Sequence, residues 1–146
     1  MTYATQSDIE ELYGSDILHI ADRDGDGVPE ADAITRACVS ASAEIDTHLH
    51  ARYALPLPEV PEYLRQLAVD IAIYRLAQTA DVLSEEMRTR YEDALAALRR
   101  IAEGKAALVF SPTDEDGDGV DDDTTPRPIV VGGPEREFTR EKMKGL

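Results

Sequence analysis

Asp32-Ala33-Ile34-Thr35-Arg36-Ala37-Cys38-Val39-Ser40-Ala41-Ser42-Ala43-Glu44-Ile45-Asp46-Thr47-His48-Leu49 sets Ile34, Cys38, Ala41, Ile45 and Leu49 at spacings of four, three, four and four. With 3.6 residues per turn, those positions fall on one face, so the stretch reads as an amphipathic α-helix. Asp32 is expected to cap its start with a side-chain oxygen. Cys38 lies on the apolar face and reads as a packed core thiol rather than a nucleophile. As the single cysteine it has no internal disulfide partner.

The same grammar continues on either side. Ser7-Asp8-Ile9-Glu10 fits a capping box, which predicts a short helix ending near Gly14. Ser15 and Asp16 can cap another turn or two through Leu18 and Ile20. After Tyr53, Pro56, Pro58 and Pro61 break the chain and leave an extended connector. A third helix is expected with Pro61 in its first turn, running to about Ala80. Its stripe is Leu64, Leu67, Ala68, Ile71, Ala72 and Leu76, and Val69, Ile73 and Tyr74 widen it beyond what one partner helix needs. Such a helix is either central to a bundle or shared with another subunit.

Ser84 should cap a fourth helix with Met87, Tyr91, Ala94, Leu95, Leu98 and Ile101 on its buried side. Arg88, Glu92, Arg99 and Glu103 lie opposite, and Gly104 stops it. Beyond Gly104 the pattern changes. Ala106–Phe110 and Ile129–Val131 are short apolar runs either side of an acidic loop, and are expected to pair as a short β-hairpin. The tail after Gly132-Gly133-Pro134 is polar apart from Phe138, Met143 and Leu146. The expected fold is therefore all-α: a small helical bundle of three long helices plus short N-terminal ones over residues 1–105. A non-helical C-terminal arm, residues 106–146, carries an acidic loop and the tail.

Composition limits the function. The 146 residues are 42% hydrophobic, enough to bury a core, and carry a net charge of −15. That balance argues against nucleic-acid binding, which draws its affinity from Lys and Arg displacing counterions. No run is long and apolar enough for a membrane span, and Met1–Asp8 lacks a signal region, so the chain is expected to start life in a cytoplasm. Acid is concentrated in two places: Asp22–Asp32 and Pro112–Asp123 hold 12 of the 30 acidic residues.

Both places contain Asp-x-Asp-Gly-Asp-Gly-Val, at Asp22–Val28 and Asp114–Val120. Carboxylates on alternate residues followed by glycine are how an EF-hand calcium loop begins. In the first copy the ligand positions fall on Asp22, Asp24, Asp26, the Val28 carbonyl and Glu30, and the twelfth is Ala33, with Asp32 next door. In the second they fall on Asp114, Asp116, Asp118, the Val120 carbonyl and Asp122, and the twelfth is Thr125. Neither copy ends in the bidentate acid, so any Ca2+ would bind weakly, with a Kd of roughly 10⁻⁴–10⁻³ M. A metal would staple the loops and perform no chemistry. The competing reading is that Asp and Gly are simply good turn residues. No cofactor is required by either. His48 and His50 point to different helix faces, His19 is isolated, and no nucleophile–base arrangement has supporting context, so no enzyme is expected.

Three blocks carry a resemblance. They are Ala43-Glu44-Ile45-Asp46-x-x-Leu49-x-Ala51-Arg52-Tyr53-Ala54-Leu55-Pro56-Leu57, Val60-Pro61-x-x-Leu64 and Asp70-Ile71-Ala72-x-Tyr74-x-Leu76. Together with Tyr3, Ser7-Asp8, Arg90-Tyr91-x-x-Ala94-Leu95-x-x-Leu98, Gly104-Lys105 and the closing Phe138-Thr139-Arg140-x-x-Met143-x-Gly145-Leu146, they make the chain similar to the Mu-like phage neck proteins. The Asp-rich loops are a departure from that pattern. The resemblance implies a head–tail connector, or head-completion adaptor, in the virion neck. Its implied partners are the portal protein, a tail or stopper protein, and further copies of itself in an oligomeric ring. Arg136, Phe138, Arg140, Lys142, Met143 and Lys144 are the expected partner contacts, apolar anchors among basic side chains. The alternative is a calcium-binding protein-interaction module in which the two acidic loops are the switch.

Overall fold

The computed structural model describes residues 1–110. The second acidic loop, the run Ile129–Val131 and the tail lie outside the described residues. Four α-helices, α1 (Gln6–Tyr13), α2 (Ala31–Leu49), α3 (Glu62–Ala80) and α4 (Glu85–Ala102), and one 3-10 helix (Ser15–Ala21) pack together. The fold is all-helical, with no strand among the described residues. Ala106–Phe110 is accordingly not part of a strand there.

Helix α1 starts two residues earlier than the capping-box reading placed it. Thr5 is the N-cap: its hydroxyl accepts the Asp8 N–H at 3.4 Å, and the Asp8 carboxylate accepts the Thr5 N–H at 2.7 Å. This is the same reciprocal box with Asp in place of Glu, and Ser7 falls inside the first turn. Helix α2 differs too. It begins at Ala31 behind Glu30 with no side-chain cap, and Asp32 sits in the first turn, where its charge meets the positive end of the helix. Glu30 is occupied elsewhere, accepting the Arg23 N–H at 3.0 and 3.1 Å.

The five apolar positions of α2 are all buried, Cys38 among them, and so is the whole stripe of α3. Val69 and Ile73 are buried as well, and α3 packs against α1, the 3-10 helix, α2 and α4. Helix α3 is thus the central helix, and the chain's own elements account for its width. Each large aliphatic side chain fully buried here contributes roughly 1.5–3 kcal/mol. Helix α4 buries Ala94, Leu98 and Ile101, while Met87, Tyr91 and Leu95 are half-buried at its edge. Ser84 Oγ accepts the Met87 N–H at 3.2 Å as its N-cap. At its other end Gly104, at φ +79°, reverses the chain so that the Lys105 N–H reaches the Arg100 carbonyl at 2.8 Å.

Candidate functional site

The first acidic loop joins the 3-10 helix to α2. Glycines at φ +76° (Gly25) and +84° (Gly27) fold it back on itself. Asp22, Asp24 and Asp26 are brought together, one carboxylate oxygen of each lying within 4.8 Å of the others. Those oxygens also hold the loop's own backbone. Asp22 accepts the Gly25 and Gly27 N–H groups at 2.8 and 2.9 Å, Asp24 accepts from Asp26 at 3.2 Å, and Asp26 accepts from Val28 at 2.7 Å. Asp32 is not in the cluster, because α2 has already begun. The donor set suits a hard cation such as Ca2+, and the same carboxylates already close the loop, Asp24 and Asp26 by Asx turns and Asp22 by its two longer-range bonds. Asp114, Asp116, Asp118, Val120 and Asp122 lie outside the described residues, as do Arg136, Phe138, Arg140, Lys142, Met143 and Lys144.

Three polar ties cross the interior. The Tyr3 N–H donates to Ser42 Oγ at 3.0 Å, Ser42 in turn donates to the Cys38 carbonyl at 2.8 Å, and the Tyr3 hydroxyl donates to Asp46. Burial, then the Asp46 carboxylate, pushes the Tyr3 phenol well above its ordinary 10. The Tyr13 hydroxyl donates to Asp70, and the Arg90 guanidinium lies 4.7 Å over the Tyr13 ring. Burial and Asp70 push the Tyr13 phenol up to about 12, and burial also raises the Asp70 carboxyl. Glu44 on α2 joins both other long helices: it accepts from Arg75 at 2.8 Å and from Tyr91 at 3.0 Å, while Tyr91 stacks on Tyr74 at 4.0 Å. These side chains orient helices and converge on no reactive atom. Burial lifts the Cys38 thiol to about 11, which leaves it a poor nucleophile near neutrality.

The feature that sequence reasoning missed is the corner after α2. Arg52 Nη1 donates to the Ile101 and Ala106 carbonyls at 3.1 and 3.3 Å, capping the C-terminal end of α4. Its neighbour Tyr53 is 1% exposed, and its hydroxyl accepts the Leu108 N–H at 2.9 Å. The Tyr53 ring meets Phe110 edge-on, with centroids 6.2 Å apart. Leu108 and Phe110 are buried by this contact. An Ala-Arg-Tyr triplet beyond a helix end and a Gly-Lys pair fifty residues later were visible in the sequence, but nothing local said that they meet. Together they fix residues 101–110 against the corner that follows α2.

No helix among the described residues is long and apolar enough to cross a membrane. Residues 3–123 match the family described as Bacteriophage Mu, Gp36. The chain is 33% identical to "Gene product J" of Escherichia phage Mu over 107 residues, 72% of this chain and 74% of that one. It is also 36% identical to "Mu-like prophage FluMu protein gp36" of Haemophilus influenzae over 93 residues, 60% of this chain and 64% of that one.

Proposed function

Since this chain belongs to the Bacteriophage Mu Gp36 family, we propose that it is a structural protein of the virion neck, a head–tail connector with no catalytic step. The observation that carries the reading is the family match over residues 3–123, joined to the neck-protein resemblance of the blocks around Ile45–Leu76 and the closing Phe138–Leu146. In the assembled particle the protein forms a ring on the portal and offers its far side to a tail or stopper protein. A chain of net charge −15 suits a wall beside packaged DNA, because like charges repel and the DNA is not gripped.

The C-terminal residues Arg136, Phe138, Arg140, Lys142, Met143 and Lys144 are the docking element for the portal. Removing Phe138–Leu146 is expected to leave the bundle folded and to abolish docking. Unimpaired docking by the truncated chain ends that part of the reading. The decisive experiment is electron microscopy of lysates from a phage or inducible prophage lacking this gene. Separated heads and finished tails, joined again when the protein is added back, support the connector. Normal infectious particles refute it.

A second reading has one observation in its favour, the gathering of the Asp22, Asp24 and Asp26 carboxylates within 4.8 Å. In it, Ca2+ held by the acidic loops controls partner binding. The two separate on the variant Asp22→Asn, Asp24→Asn, Asp26→Asn: a switch loses its calcium response and its partner, whereas a connector still assembles.

A further inference from the structure

Where the described chain ends, its last residues form one wall of a surface cleft of about 430 Å³. Ala107, Leu108 and Val109 face Glu59, Val60 and the start of α3 across it. Two of the bundle's most solvent-exposed large apolar side chains line this cleft, Tyr63 at 54% and Val109 at 83%. Glu59 and Glu62 give its wall an acidic character, with Arg65 taking one side of Glu62 at 2.9 Å.

The chain itself contains a segment of matching chemistry. Residues 1–110 hold 20 of the 30 acidic side chains and 10 of the 15 basic ones. Against that acidic body, Glu135-Arg136-Glu137-Phe138-Thr139-Arg140-Glu141-Lys142-Met143-Lys144-Gly145-Leu146 has four basic residues to three acidic and presents Phe138, Met143 and Leu146. The 24 residues between Phe110 and Glu135 can span up to roughly 80 Å, well beyond the ~28 Å length of α3. Return to a cleft beside the point of departure is therefore unobstructed by length. A tether of that kind also gives a weak contact an effective concentration on the order of millimolar.

We propose that this cleft is the resting site of the chain's own C-terminal segment, Glu135–Leu146. Phe138 and Met143 cover Val60, Tyr63 and Val109, and the flanking Arg and Lys side chains face the exposed carboxylate of Glu62. The contact does not depend on the connector reading. It adds to that reading a tail that is stored on the bundle until a stronger surface competes for it.

The test uses the full chain with a benzophenone amino acid in place of Tyr63, an exposed position, irradiated in dilute solution and mapped by mass spectrometry. The expected result is an adduct to residues 135–146 at the mass of a single chain. Adding Phe138→Ser and Met143→Ser should lower its yield several-fold while leaving the thermal midpoint unchanged. Adducts confined to residues 1–110, adducts formed only between two chains, or a yield indifferent to the serine substitutions each overturn the proposal. None of these outcomes reads portal binding, so failure here leaves the connector reading to its own experiment.

Discussion

The acidic loop at Asp22–Val28 and the corner at Arg52–Tyr53 are opposites in how they are built. The loop is the most conspicuous stretch of the sequence, yet the side-chain hydrogen bonds of its aspartates close over two to five residues. The corner is inconspicuous, and the bonds of its guanidinium and phenol reach 49 to 55 residues along the chain. A local motif advertises itself because all its partners are adjacent, and for that reason little else depends on it. A long-range junction leaves almost no local trace and holds two distant segments in register.

That contrast predicts unequal responses to substitution. Tyr53→Ala should be the most damaging single change at either place. It removes a fully buried ring and uncovers Phe110, at a cost of about 3–5 kcal/mol in urea unfolding. Tyr53→Phe keeps the ring but strands the Leu108 N–H, for about 1–2 kcal/mol. A loss in Tyr53→Ala below that of Tyr53→Phe would break the comparison, since the corner would then not be packed as described.

Gly104→Ala sharpens it. A Cβ there would sit 3.1 Å from Arg52 Nη1 on a backbone at φ +79°, so about 1–2 kcal/mol should be lost. Coupling tests the contact directly: with Arg52→Ala in place, part of that cost should disappear in a double-mutant cycle. Strict additivity would mean that the guanidinium and the glycine do not share a site.

The interior ties supply an intermediate case, read by pH. The folded Tyr13 phenol ionises at about 12 and Tyr3 higher still, above their ordinary 10. A raised folded pKa means that each contributes its stability fully below pH 10 and loses it as pH climbs through the folded value. Ultraviolet absorbance titration should show Tyr13 ionising near pH 12, and Tyr13→Phe should delete that step. Ionisation of every tyrosine near 10 in the folded chain would remove the tie between α1 and α3.

The smallest effect is expected at the loop. In Asp22→Asn, Asp24→Asn, Asp26→Asn the amide oxygens at 24 and 26 can still accept the backbone N–H that each carboxylate held; at 22 one of the two N–H groups, of Gly25 or Gly27, turns to water in this exposed loop, and repulsion among three charges is relieved. The thermal midpoint without calcium should move by the equivalent of less than about 1 kcal/mol. Unfolding of this variant would reverse the comparison and make the acidic loop a structural keystone.

The helices were legible in the sequence for a definite reason. Ile34 to Leu49 and Leu64 to Leu76 repeat at the helical period, and Pro61, Ser84 and Gly104 punctuate them with turn and cap chemistry that acts over three or four residues. The exact starts were less legible, since several residues within one turn compete to begin each helix: Ser15 lies inside the 3-10 helix behind Gly14, and Pro61 precedes α3. Thr5 outcompeted Ser7 at α1, and Glu30 took the boundary that Asp32 was expected to hold at α2. Of the candidate site, the coming together of Asp22, Asp24 and Asp26 was legible because alternation and glycine turns are local. Sequence alone thus determined the all-α class, the helical segments, the acidic turn and the basic, sparsely apolar tail. Tertiary structure decided the rest. It placed α3 at the centre, so that Val69 and Ile73 are covered by the chain itself. It also joined Arg52 and Tyr53 to residues 101–110, because contacts between distant segments depend on how the helices pack and not on the spacing within any one of them.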